Sequence, residues 1–391
     1  MTPDARLSSA IEILDGIRTG ENAERLLTGW ARANRYAGSK DRAAIRDHVF
    51  DALRCLRSYG WLGGAGEGTA TGRQLIIGAL RAAGIDPQER FTGAGYAPAP
   101  LAANEVTDTK IEDAPRAVRI DCPDWLLPLF EDALGGSADA VLDKFRHRAP
   151  VFLRVNRRKA TLGHAIESLQ ADRIEARPHP LSESALEVTQ GARAVARSQA
   201  YLTGLVELQD AASQAIIDML PLEAGDSVLD FCAGGGGKAL AMGATADVEL
   251  TAHDIDPARM QDIAPRASRA GLNVTIARSE DLQPSYDFVL CDAPCSGAGS
   301  WARAPQAKWL LTQERLDALV ELQSSILDEA CEKVGAGGHL AYATCSVLEA
   351  ENAGQTAAFL ARHREFKLIR DRLVSPLEGG DGFYIALFSR D

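Results

Sequence analysis

The chain has 391 residues, 46% of them hydrophobic and 25% charged, and a net charge of −12. That length accommodates two or three cores, and no apolar run approaches the roughly 20 residues a membrane-spanning helix requires. The opening MTPDARLSSAIEILDG lacks a basic flank before an apolar core, so a cytoplasmic protein is expected, and seven cysteines without repeated C-x-x-C pairs argue against both a disulfide framework and a metal site.

Residues 1–115 read as a helical domain. LSSAIEILDGI, AERLLTGWARA, DRAAIRDHVFDALRCLRSYGWL and GRQLIIGALRAAG place apolar residues three and four apart, with SK-D and GTATG as breaks. A stretch rich in Gly, Pro and Ala, then in acids, closes that domain. Residues 116–205 read as a small α+β unit. Its helices fall in PDWLLPLFEDALG and TLGHAIESLQAD, and its strands in VFLRVN, ALEVT and YLTGLVELQ. Nine Lys or Arg against three acids lie between Lys144 and Arg177, a basic stripe on an acidic chain that suits phosphate, although a solvated charged face has the same composition.

Residues 206–391 alternate strand, loop and helix. SVLDFC, VELTAHD, NVTIAR, YDFVLCD, GHLAYAT, FKLIR and FYIALFS are the strand-like runs, which predicts a parallel, doubly wound α/β sheet. Ligands of such sheets bind beyond the carboxyl ends of the strands, and the informative loops all lie there.

The loop DFCAGGGGKAL, Asp230 to Leu240, turns a strand into a helix through four glycines, so that backbone N–H groups can approach a ligand. It is no P-loop, because Ala239 stands where a hydroxyl should follow Lys238. By itself it fits an adenosyl-type ligand or a tight turn equally well. Asp254 ends the next strand 24 residues after Asp230, a spacing at which a carboxylate takes ribose hydroxyls; an acid opening a helix is the plainer alternative. Cys295 in DAPCSG and Cys345 in TCS are 50 residues apart at the ends of two strands. If those strands are neighbours, about 4.8 Å apart, the thiols face one pocket. Ser346 to Glu349, SVLE, has the form of a capping box, which predicts Cys345 just before a helix N-terminus, where its pKa falls.

These loops resemble the Nol/Nop/Sun family of RNA cytosine-C5 methyltransferases. VELQDAASQAIIDML, VLDFCAGGGGK, DAPCSGAGSWARAPQAKWL, LAYATCSVLEAEN and GDGFYIALF follow the order of that family's motifs, and FLRVNRR is similar to its RNA-binding subdomain. The resemblance implies an α/β fold: a C-terminal Rossmann-like methyltransferase domain, preceded by a small α+β RNA-binding unit and an N-terminal all-α, NusB-like domain. It implies S-adenosylmethionine as cofactor, small-subunit ribosomal RNA as partner, no metal and a monomer. Cys345 is then the nucleophile, Cys295 assists its release and Asp292 contacts the base. The cofactor lies over Cys232, Ala233, Gly234, Gly235, Gly236, Gly237 and Lys238 and beside Asp292, with Asp254 on the ribose and Glu280 near the adenine. RNA phosphate is assigned to Arg154, Arg157, Arg158, Lys159, Arg303 and Lys308. The family commonly reads C-A-A-P-G-G-K where this chain has Gly234 and Gly235, a change expected to loosen the loop. A non-catalytic RNA-binding or ribosome assembly factor is the alternative class.

Overall fold

The computed structural model describes residues 1–66 and 69–391, and divides them into two units. The first comprises Met1–Glu131, Gly135–Arg148 and Trp301–Leu310. Its helices Pro3–Arg18, Ala23–Ala33, Ser39–Arg54, Leu56–Leu62 and Gly72–Ala82 bury one apolar face each, with Leu14, Ile45, Val49, Leu75 and Ile77 at the centre. Gly68, the first residue of the expected GTATG break, lies outside the described residues; the helix after it starts on Thr71, whose hydroxyl accepts from the Gln74 N–H.

The single helix suggested by DRAAIRDHVFDALRCLRSYGWL is broken at Cys55. Buried Asp121 accounts for the break, because its carboxylate accepts from the N–H groups of Arg57 and Ser58 and from the Ser58 hydroxyl, capping a new helix start from outside the run. The expected boundary at residue 115 falls inside this unit, which continues to Arg148.

Four strands open the second unit: β1 (Val151–Val155), β2 (Glu175–Pro178), β3 (Ala185–Gln190) and β4 (Val206–Leu208). They form an antiparallel sheet of order β2-β3-β1-β4, with the helices Leu162–Ala171 and Gln199–Leu202 in the connections. This is the ferredoxin-like arrangement. The start of YLTGLVELQ, expected as strand, is the short helix, capped by the Ser198 hydroxyl on the Tyr201 N–H.

Seven strands follow: β5 (Ser227–Asp230), β6 (Glu249–Ala252), β7 (Thr275–Ile276), β8 (Tyr286–Asp292), β9 (Val334–Thr344), β10 (Phe366–Val374) and β11 (Phe383–Arg390), in the order β10-β11-β9-β8-β5-β6-β7. Six run parallel. The expectation of a wholly parallel sheet fails at β11, which pairs antiparallel with both β9 and β10. Only eight residues connect it to β10, and such a short return to a neighbouring strand requires opposite directions.

Side chains of β8 alternate: Phe288 and Leu290 pack with Ile216, Met242 and Ile263 on one face, and Val289 and Cys291 with Leu327 and Phe359 on the other. Helices thus cover both faces, which is why the strands read as nearly continuous apolar runs. The order reverses between β5 and β8, opening a crevice at their carboxyl ends. The sheet is Rossmann-like. No described helix is long and apolar enough to cross a membrane.

Candidate active site

A cavity of about 440 Å³ occupies that crevice. Cys232, Ala233, Gly234, Gly235, Gly237 and Lys238 line one side, Asp292 and Cys295 another, and Cys345 a third. Nine of the residues singled out in the sequence therefore meet in one place. Gly236, Asp254 and Glu280 do not line it.

The glycine loop takes its shape from two left-handed residues, Gly234 at φ +50° and Gly236 at φ +76°. A Cβ at Gly236 would stand 2.8 Å from Ile263. At Gly234, alanine would be strained whatever the space, so glycine there shapes the turn as well as loosening it. Beneath the loop, buried Asp254 accepts from the Gly234 and Asp256 N–H groups, both at 3.0 Å, and pairs with Arg259 at 3.0 Å. Asp254 thus holds the loop in place. Glu280 is exposed on a short turn, with Arg278 at 3.9 Å, so its expected place beside an adenine has no counterpart in the cavity wall.

Lys238, in the first turn of the helix Gly237–Thr245, is buried, and its Nζ donates to Asp292 Oδ2 at 2.6 Å. Burial opposes the ammonium charge, but Asp292 outweighs it and raises the pKa. Phe383, at the start of β11, lies under the same ammonium at 4.8 Å. Asp230, at the end of β5, is buried, and among the described residues neither carboxylate oxygen has a hydrogen-bond donor. Burial, reinforced by Asp292, pushes its pKa up to about 7.

The two thiols meet. Cys295 Sγ lies 3.4 Å from Cys345 Sγ, because β8 and β9 are parallel neighbours and each cysteine follows its strand by one to three residues. The pair is asymmetric. The contact with Cys295 lowers the Cys345 pKa, with Lys238 assisting, whereas the same contact and burial raise Cys295. The capping-box expectation is corrected. Ser346 Oγ accepts from the Leu348 N–H in a local turn, and the helix Ala353–Arg362 begins only after Asn352. The lowered pKa of Cys345 therefore comes from neighbouring side chains rather than from the start of that helix.

One functional element escaped the sequence reading. Glu351, fully buried, accepts from the Ser296 N–H at 2.8 Å, the Ser296 hydroxyl at 2.5 Å and Gln323 Nε2 at 3.0 Å. Gln323 also donates to the Pro294 carbonyl at 2.9 Å. Both sides of Cys295 are thereby anchored. In the sequence Glu351 is one of two acids in LEAEN, and nothing local pairs it with Ser296. Arg259, Arg266 and Phe383 also line the cavity without having been anticipated.

The basic stripe departs most from expectation. Arg154 is buried, donating to Gln209 and to the Gly237 carbonyl, and burial pushes its pKa down to about 10. Arg158 is taken by the Gly243 carbonyl and Asp247, and Lys159 by the Thr203 and Arg269 carbonyls. Lys308, 1% exposed, donates to the Arg54 and Asp121 carbonyls inside the first unit. Arg154 and Lys308 thus serve the interior, whereas Arg158 and Lys159 are exposed residues whose tips reach backbone acceptors. Arg157, paired with Glu183, and Arg303 remain exposed.

A family model described as 16S rRNA methyltransferase RsmB/F matches residues 217–388. A second, for the ferredoxin-like domain of RsmF/B-like methyltransferases, matches residues 122–195. Ribosomal RNA small subunit methyltransferase B of Yersinia pestis (bv. Antiqua, strain Angola) is 31% identical over 388 residues, covering 89% of this chain and 90% of its own. The protein of the same description from Yersinia pseudotuberculosis (serotype O:1b, strain IP 31758) matches to the same extent. Among solved structures, PH0851 superposes over 100% of this chain and 99% of its own, with a TM-score of 0.77 at 19% identity. NSun6 from Pyrococcus horikoshii with SFG covers 68% of this chain and 98% of its own, with a TM-score of 0.61 at 17% identity. At those identities the likeness of the solved structures concerns the fold.

Proposed function

Because the chain belongs to the RsmB/F family of 16S rRNA methyltransferases, we propose that it methylates C5 of a cytosine in small-subunit ribosomal RNA through a covalent adduct on Cys345. The observation that carries this reading is the thiol pair, 3.4 Å apart, beside the Lys238–Asp292 ion pair.

S-adenosylmethionine fits the crevice. The glycine loop offers close backbone approach, and Asp292 lines the same cavity. Cys232 to Lys238 would hold it, with Asp254 fixing their loop from beneath. When bound, it supplies an electrophilic methyl group.

Cytosine C5 is a poor nucleophile until a thiolate adds to C6. The Cys345 sulfur forms the bond to C6, and the ring electron pair moves towards C5. Asp292, held by Lys238, accepts a hydrogen bond from the ring edge and stabilises a proton at N3. Once C5 carries the methyl group, its proton leaves to a base, the ring electrons return, and the Cys345–C6 bond breaks. Cys295 stands where a second thiol assists that release. The target base must leave its stack to reach Cys345. Arg157 and Arg303 supply phosphate contacts, and the helical unit adds RNA surface as a NusB-like domain. A cytoplasmic monomer accompanies this reading.

The test is methyl transfer from labelled S-adenosylmethionine to unmodified small-subunit ribosomal RNA, with adducts scored on a denaturing gel. Wild type labels cytosine C5, Cys345→Ala gives neither product nor adduct, and Cys295→Ala accumulates adduct. Methylation by Cys345→Ala sinks the nucleophile assignment.

A further inference from the structure

With Arg154 and Lys308 buried on backbone carbonyls, part of the positive charge expected to meet a polyanion faces inward. The first unit carries a groove of about 560 Å³ between the helices Ala23–Ala33 and Ser39–Arg54. Arg32, Arg35, Arg42 and Arg46 line it, and no carboxylate does. In a chain of net charge −12 this is a local reversal of sign.

Two of the four are steadied by neighbours. Arg42 Nε donates to the Ala37 carbonyl at 2.9 Å, and Arg46 pairs with Glu24 at the rim while lying 4.8 Å from the Phe50 ring. Among the described residues, Arg32 and Arg35 have no carboxylate partner. All four guanidinium groups are on exposed residues. Like charges converging on one concavity repel, and the arrangement relaxes when an anion enters. Trp30, half-buried against the helical core, adds an aromatic wall, and Tyr36, 73% exposed, stands between the two helices.

We infer that this groove binds the phosphodiester backbone of single-stranded RNA. Guanidinium forks match phosphate oxygens. The indole offers a stacking face that only an unpaired base reaches. The inference rests on the RNA-methylation reading for the identity of its ligand and adds the surface on which that ligand is held.

The test uses the full chain and unmodified small-subunit ribosomal RNA made in vitro, with binding followed across a salt series. Arg32→Ala/Arg35→Ala is compared with wild type and with Arg25→Ala/Arg364→Ala, which removes equal charge from exposed positions outside the groove. The groove variant is expected to bind about tenfold more weakly near 0.1 M salt, with the log–log salt slope reduced by about 1.4, or about 0.7 per lost single-strand phosphate contact. Its melting temperature and S-adenosylmethionine affinity stay at wild-type values. Unchanged RNA affinity and slope in the groove variant, or an equal loss in the control, overturns the groove assignment while leaving the methylation reading in place. If wild type neither binds nor methylates the RNA, the methylation reading falls, and the groove assignment with it.

Discussion

Two cysteines, each followed by a serine, differ in ionisation through the side chains packed around them. Cys345 is the lower in pKa because of its contact with Cys295 and the nearby Lys238, and Cys295 is raised by the same contact. A rate that depends on the Cys345 thiolate rises with pH until that thiol is ionised, and a lowered pKa moves the rise to lower pH. Cys295→Ala removes that contact, so the rise moves to higher pH. Single-turnover adduct formation near neutral pH is expected to slow by about tenfold, the worth of one hydrogen bond to a charged group, with the gap closing in alkali. Superimposable pH profiles would show that Cys295 does not set the ionisation of Cys345. The same variant slows release, and the two effects separate because one is read at adduct formation and the other at its decay.

At the scale of elements, the turn carrying Glu351 clamps the loop carrying Cys295. Glu351→Gln puts an amide donor where a carboxylate accepts from Ser296 and Gln323. One buried bond then goes unmade, at a cost of about 1–3 kcal/mol in stability. Glu351 is a positioning residue, so the variant should retain adduct formation more fully than adduct release, with Glu351→Asp recovering part of the loss. Equal impairment of both steps would mean a general loss of structure. The strands were legible because a sheet covered on both faces demands unbroken apolar runs, and β8 supplies one from Phe288 to Cys291. The SVLE capping box was misread for a complementary reason: its serine is used in a turn, and Asn352 bridges Thr344 and the Ser346 carbonyl before the helix starts. Local pattern offers both uses of the serine, and only the packed loop selects one.

Across the whole molecule, the segment Trp301–Leu310 follows the Cys295 loop in sequence yet belongs to the helical unit. Trp301 packs against Phe130 and Phe145 at ring distances of 5.6 and 6.0 Å, Trp309 Nε1 donates to the Leu53 carbonyl, and Lys308 joins Arg54 to Asp121. A truncated chain starting at residue 149 would strip these partners and expose two tryptophans. It is expected to bind a hydrophobic dye and aggregate where the full chain does not. Lys308→Met tests the same structure more gently: the melting temperature falls as two buried carbonyls lose their donor, while the salt slope of RNA binding stays at the wild-type value. A reduced slope would return Lys308 to the RNA surface.

The sequence by itself determined the strand order along the chain, the glycine loop, and the two thiol motifs with Asp292, because each depends on short-range pattern: apolar periodicity, backbone freedom, or a residue type at a strand end. It also carried the resemblance on which the chemistry rests. Only the tertiary structure decided that the thiols touch, that Cys295 and Lys238 rather than a helix terminus lower the Cys345 pKa, that Glu351 anchors the Cys295 loop, and that β11 runs against its neighbours. The positive charges show the difference most plainly. Composition counts an arginine as a charge facing solvent, but whether Arg154 meets a carbonyl or water depends on the distant backbone the fold brings to it.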